Sequence, residues 1–135
     1  MSFDIFLAHF ENGEVRTFKR EIFDRLFGAF TVGTPEPKFM RVRFPDGGGA
    51  DIYVENKSDL SGMMFNHCGG DAFYDALYEL IRQTGSVVFW PGVGRTSVIA
   101  DPAVVEHLPA NFIESCGQPV LVRDKNGITD AIQDT

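Results

Sequence analysis

Residues 69–92 carry the strongest folding instruction in the chain: Gly69-Gly70-Asp71, a run from Ala72 to Gly85, then Ser86-Val87-Val88-Phe89-Trp90-Pro91-Gly92. Phe73, Leu77, Leu80, Ile81 and Thr84 recur at helical spacing, Tyr74 and Tyr78 widen the apolar arc, and Asp75, Glu79 and Arg82 form a wet stripe. The pattern predicts a loop, a helix capped by Asp71 and a buried strand. It makes this segment the centre of the core.

The flanking sequence supplies the rest of a sheet. Residues 3–10 set Phe3, Ile5, Leu7 and His9 against Phe6, Ala8 and Phe10, which suits an interior strand covered on both faces. After an Asn12-Gly13 turn, Phe18, Ile22, Phe23, Leu26 and Phe27 make a helical stripe with Thr17 as N-cap and Gly28 as C-cap. Arg20 with Asp24 and Glu21 with Arg25 are spaced to pair on its exposed side. Residues 31–37, with Gly33, Pro35 and Pro37, read as an irregular connection.

Residues 38–44 and 50–55 alternate around Pro45-Asp46-Gly47-Gly48-Gly49 and predict a hairpin. With Phe44 opposite Ala50, Arg43 faces Asp51, Val42 faces Ile52 and Met40 faces Val54. Residues 63–68 add a third strand, and residues 87–90 and 96–100 form a second hairpin. Asp101-Pro102 opens a short helix, residues 110–116 form another, and residues 119–123 read as the last strand. Lys125-Asn126-Gly127 is then a turn before a terminal helix over residues 128–133. Without regular strand–helix alternation the class is α+β: a mainly antiparallel sheet of about five to seven strands packed against two principal helices, with short C-terminal helices. Residues 1–135 are expected to form a single domain.

Composition narrows the partners. Hydrophobic residues are 44% and charged residues 23% of the chain, the balance of a soluble globular protein. Its 13 phenylalanines suit a thick core or an aromatic contact surface. The 12 basic and 19 acidic residues leave a net charge of -7, which disfavours nucleic acid and suits a basic protein partner. The basic groups Arg16, Lys19, Arg20 and Arg25, and Lys38, Arg41 and Arg43, are interrupted by Glu21, Asp24 and Glu36 and read as solvated faces. Cys68 and Cys116 are too few for a disulfide framework, the opening Met1-Ser2-Phe3-Asp4 lacks a secretory pattern, and no apolar run reaches membrane-spanning length. A cytoplasmic protein with reduced thiols and no membrane contact is expected.

The residues able to carry chemistry are scattered. His67 and Cys68 are neighbours in an extended segment and point to opposite sides, so they form no dyad. Cys68 precedes a helix start, where the helix dipole lowers a thiol pKa while Asp71 opposes that effect. His9 reads as a hydrogen-bonded structural residue, and His107 has no evident partner. Three histidines and two cysteines lack the spacing of a zinc site, so no metal or cofactor is expected, and no catalytic residue is assigned. Gly92 and Gly94 lack the third glycine and following helix of a dinucleotide fingerprint. Trp90, at a strand end with Tyr74 or Tyr78 near it, suits core packing, a pocket wall or a contact patch. The candidate ligand or partner contacts are therefore Cys68, Asp71, Tyr74, Tyr78 and Trp90.

Residues 71–92, with the opening Met1-Ser2-Phe3-Asp4-Ile5-Phe6-Leu7, resemble small single-domain bacterial proteins of unassigned function. The likeness covers nearly the whole chain and implies no activity. In size and acidity such proteins are similar to the immunity proteins that neutralise toxins of competing bacteria, an analogy of class and not of motif. The first expectation is a non-enzymatic binding protein that meets a protein partner through an acidic, aromatic surface. The alternative is a small-molecule-binding domain or enzyme with a pocket near Cys68, Asp71 and Trp90. A third is a self-associating structural subunit, such as a homodimer, if the phenylalanines face outward.

Overall fold

The computed structural model describes residues 4–135, which adopt an α+β fold. Its main sheet has eight strands: β1 (Ile5–Ala8), β2 (Thr31–Glu36), β3 (Phe39–Arg43), β4 (Gly49–Tyr53), β5 (Gly62–Gly69), β6 (Val87–Phe89), β7 (Ser97–Ile99) and β8 (Val120–Leu121). Their order across the sheet is β8-β7-β6-β1-β5-β4-β3-β2, with every neighbour antiparallel except the parallel pair β7 and β8. The first strand therefore lies inside the sheet, as its apolar faces require. Phe3 lies outside the described residues.

Helices α1 (Arg20–Phe27), α2 (Asp71–Thr84) and α4 (Lys125–Gln133) supply the main core with the inward residues of the sheet. Phe27 is fully buried at its aromatic centre, with ring centroids 5.1 Å from Phe23, 6.2 Å from Phe44, 6.0 Å from Phe65 and 6.2 Å from Phe73. A smaller cluster of Val87, Ile99, Val104, Leu108 and Phe112 joins β6 and β7 to a 3-10 turn (Pro102–His107) and α3 (Ala110–Cys116). The sheet is thus covered along one face and over one end of the other. The remaining part of that second face, across β5, β4 and β3, is bare.

Several local expectations change, each for a physical reason. The β3–β4 register is offset by two residues from the expected pairing: Arg41 faces Asp51, Val42 faces Ala50 and Arg43 faces Gly49. The Phe44 amide donates to the Gly48 carbonyl at 2.8 Å, closing the turn early and drawing Gly49 into the strand. A shift of two preserves which side chains face the core, so the alternation could not reveal it. Residues 31–37 are not simply a connection, because β2 occupies most of them, but the pairing of β2 with β3 is irregular between Val32 and Glu36, where Gly33 and Pro35 lie. Its Pro35 is tolerated at the sheet edge, and its mostly exposed side chains carry no buried pattern.

The helix ends also differ. Thr17 does not cap α1; Lys19 holds that position, because Phe18–Lys19 pair with Asp59–Leu60 before the helix begins. The expected turn at residues 125–127 is the first turn of α4, capped by Asp124, whose carboxylate accepts from the Gly127 amide at 3.0 Å. Gly127 sits there because an added Cβ would lie 2.8 Å from Val122 Cβ. The segment after Asp101-Pro102 is a 3-10 turn, although Asp101 does accept from the Ala103 amide as a cap should.

At α2 the cap comes from far away in sequence. Gly70 holds the N-cap position with φ +96°, and Asp71 is the first helical residue with its carboxylate in solvent. Asp46, in the β3–β4 turn, accepts from the Gly48 amide at 2.9 Å with one oxygen and from the Ala72 amide at 3.0 Å with the other. These two bonds hold the Asp46 carboxyl below its ordinary pKa. Turn and helix are tied by one side chain.

Phe27→Ala should cost about 3–5 kcal/mol in urea unfolding, the range for a fully buried aromatic, whereas Val32→Thr on the exposed edge should stay within about 0.5 kcal/mol. Gly127→Ala should lower the melting temperature, because the added Cβ would meet Val122 Cβ at 2.8 Å and Cγ1 at 2.9 Å.

Candidate binding site on the bare sheet face

Directly opposed residues on neighbouring strands share a face, so the register lines up two rows across the bare side. The first is apolar. Phe6 pairs with Phe89 on one side and Met64 on the other, Met64 pairs with Tyr53, and the Tyr53 and Phe39 rings lie 5.1 Å apart. Under α3 the row ends in contact: Phe89 is 5.4 Å from Phe6 and 5.4 Å edge-on from Phe112. Toward its other end, beside Phe39, Tyr53 is 46% exposed.

The second row is polar. Arg41 Nε donates to Asp51 Oδ1 at 2.7 Å, Asp51 pairs with Asn66, and the Asn66 amide donates to the Asp4 carboxylate. Asp51 Oδ2 also accepts from His67 Nδ1 at 3.0 Å. The Asp51 side chain is only 15% exposed, and Arg41 first, then His67, hold its carboxyl below the usual carboxylate range.

His67 reaches Asp51 because β5 is bulged there. Gly49 pairs with Gly69 and Asp51 with Asn66, so His67 and Cys68 stand opposite the single residue Ala50. His67 has φ +52°, a conformation uncommon outside glycine and, at a bulge, one that re-aims a side chain. The imidazole falls on the bare face, and Cys68 packs toward the main core. The two side chains diverge, as their adjacency implied.

Beside this bulge is a concavity of about 410 Å³. Its floor is glycine backbone from Gly47, Gly48, Gly49 and Gly69, and its rim carries Arg41, Arg43, Asp51 and His67. The floor has close backbone packing: a Cβ on Gly70 would lie 2.7 Å from the Gly48 Cα. The side chains that would fill the hollow are missing from the sequence.

The five residues expected from sequence are distributed over this end of the molecule and the core. Cys68 is half-buried, lines the concavity and meets Tyr74; burial pushes its thiol pKa up, outweighing the hydrogen bond from Tyr74. Tyr74 is also pushed up, by burial first and then by Cys68. Asp71 is solvent-facing, 3.8 Å from Lys125 Nζ. Tyr78 is half-buried against the main core, and Trp90 is 3% exposed with its indole donating to Thr135 Oγ1 at 2.9 Å. Cys68 and Tyr74 are brought together, while Asp71, Tyr78 and Trp90 are not among the concavity's lining residues.

Arg41, Arg43, Asp51 and His67 escaped the sequence reading for separate reasons. The alternation predicts an Arg–Asp pair across the hairpin, but with Arg43 in place of Arg41. No local signal marks residue 67 as a bulge. The other histidines are structural: His9 Nδ1 donates to the Arg16 carbonyl at 3.1 Å, and His107 Nδ1 accepts from the Asn12 amide at 3.1 Å. Among the described residues no group of three or more His, Cys, Asp and Glu side chains could hold a metal, and no helix is long and apolar enough to cross a membrane. Compared with family models, curated proteins and solved structures, the chain matches none.

The raised Cys68 pKa gives a direct expectation. Burial favours the neutral thiol, so its stabilising effect is complete below the unfolded thiol's pKa and is lost as pH rises through the folded value. Alkylation of native Cys68 by iodoacetamide should therefore need a higher pH than in the urea-unfolded chain, where the midpoint lies at about 8.5. Coincident profiles would contradict the packing of Cys68 against Tyr74.

Proposed function

We propose that this chain is a binding protein that engages a protein partner through the bare face of its sheet. The observation that carries the reading is the row Phe6, Met64, Tyr53 and Phe39, which continues the covered cluster at Phe89 out across strands that no helix covers. Aromatic rings and methionine adapt well to a partner surface, and arginine beside them suits the rim of an interface. Asp71, Asp75 and Glu79 belong to α2 on the other layer, and on the bare face the Asp51 carboxylate is already engaged by Arg41 and His67. On this reading the aromatic face makes the contact, and the net charge of -7 acts at longer range, steering a basic partner inward. Neutralisation of a basic toxin is the form of partner binding that size and charge favour.

A second reading, a small-molecule site or enzyme, is favoured by one observation: the Asp51–His67 pair borders the glycine-floored concavity that Cys68 also lines. An aspartate on Nδ1 fixes the tautomer and leaves Nε2 free to meet a ligand.

A photo-reactive residue at position 53, in cells that make the protein, should yield one adduct of discrete mass, and the same residue at position 75 on α2 should not. The adduct should fall at least several-fold when Met64→Glu is added. Cross-linking from position 75 alone, or from neither position, would contradict binding through the sheet.

A further inference from the structure

The concavity at the end of β3, β4 and β5 differs in sign from the chain that carries it. Two guanidinium groups and an imidazole border it against the single carboxylate of Asp51, in a protein of net charge -7. Both Asp51 oxygens are engaged, Oδ1 by Arg41 Nε and Oδ2 by His67 Nδ1. Arg43 has only a 3.5 Å contact with the Gly47 carbonyl and no ion-pair partner among the described residues. Donor capacity is therefore left over on the terminal nitrogens of Arg41 and on most of the Arg43 guanidinium, and His67 Nε2 is not engaged by Asp51.

These donors are arranged and not merely numerous. Arg41 and Arg43 are two residues apart on one strand and on one face, about 7 Å along it, and both line the concavity, with the Arg41 guanidinium resting 5.9 Å from the centroid of the Phe39 ring. Asp51 orients Arg41 and His67 from below while the bulge aims the imidazole across the hollow. Gly49 and Gly69, paired across β4 and β5, leave the floor without side chains, so a ligand can approach the backbone. Guanidinium groups match the geometry of carboxylate and phosphate oxygens.

We propose that this concavity binds a small oxyanion, a phosphate or carboxylate group held by Arg43, Arg41 and His67. The proposal deepens the small-molecule reading above and stands whether or not the bare face has a protein partner.

The test is a titration of the 15N-labelled 135-residue chain with sodium phosphate, and separately with sodium acetate, at constant ionic strength set by chloride. Saturable shifts confined to the His67 side chain and the amides of Gly47, Gly48, Gly49 and Gly69 are expected. Arg43→Gln, with an otherwise unchanged amide spectrum, should weaken binding about tenfold, as loss of a charge-assisted hydrogen bond predicts, while Arg123→Gln should leave it unchanged. Saturation by phosphate alone assigns a phosphate group, and tighter saturation by acetate assigns a carboxylate. Non-saturating shifts with both ions, equal shifts at His9 and His107, or binding that survives Arg43→Gln would each overturn the site. A flat titration beside an intact cross-link from position 53 would overturn the oxyanion site and leave the protein-partner reading standing.

Discussion

The backbone contact between two glycine turns governs the working end of this molecule. Gly48, in the β3–β4 turn, lies against Gly69 and Gly70, at the end of β5, too closely for a Cβ at either Gly48 or Gly70. Asp46 fastens the contact by accepting from the turn and from the first turn of α2 together. The consequences run outward in order. The hairpin is held to the helix, β5 absorbs one extra residue before it reaches Gly69, and the resulting bulge turns His67 to Asp51 and Cys68 to Tyr74. Hairpin, helix start and concavity are one construction.

The phenylalanines show how a small domain can use one residue type for two purposes. Phe23, Phe27, Phe65 and Phe73 are fully buried and make a continuous aromatic centre under α1 and α2. Phe6, Phe39 and Phe89 are only half-buried and run across the other face of the same sheet. Composition posed a thick core and an aromatic surface as alternatives, and the fold contains both. A strand with apolar residues on both faces serves the helical layer with Ile5 and Leu7 and the opposite face with Phe6.

What could be read in advance follows from what each pattern encodes. The spacing of Phe73, Leu77, Leu80 and Ile81 is a local property of α2, and the structure buries all four. Gly85 ends that helix at φ +70°, where the absence of a Cβ has a direct effect. The salt bridges Arg20–Asp24 and Arg25–Glu21 also form, at 3.3 and 3.4 Å. By contrast, alternation in β3 and β4 specifies a face but not a register; it leaves Arg41 and Arg43 interchangeable, and the Phe44–Gly48 bond decides between them. Asp46 as the cap of α2 depends on a contact 26 residues apart. The Asp51–His67 pair depends on a bulge with no glycine to announce it. The candidate site was least legible because it is made of relations between distant segments, while local spacing reports only on single elements.

The sheet keeps one face open between Phe6 and Phe39, and Met63 and Met64 test that openness from adjacent positions. Met63 points into the main core, 7% exposed, and Met40 is also buried, while Met64 lies in the apolar row of the bare face. Oxidation of the purified protein by dilute hydrogen peroxide, followed residue by residue by mass spectrometry, compares them under one condition. Oxidation of Met64 well ahead of Met63 and Met40 is the predicted result. Protection of Met64 equal to that of Met63 would mean that the face is covered in the isolated protein, and the account of an open recognition surface would fail.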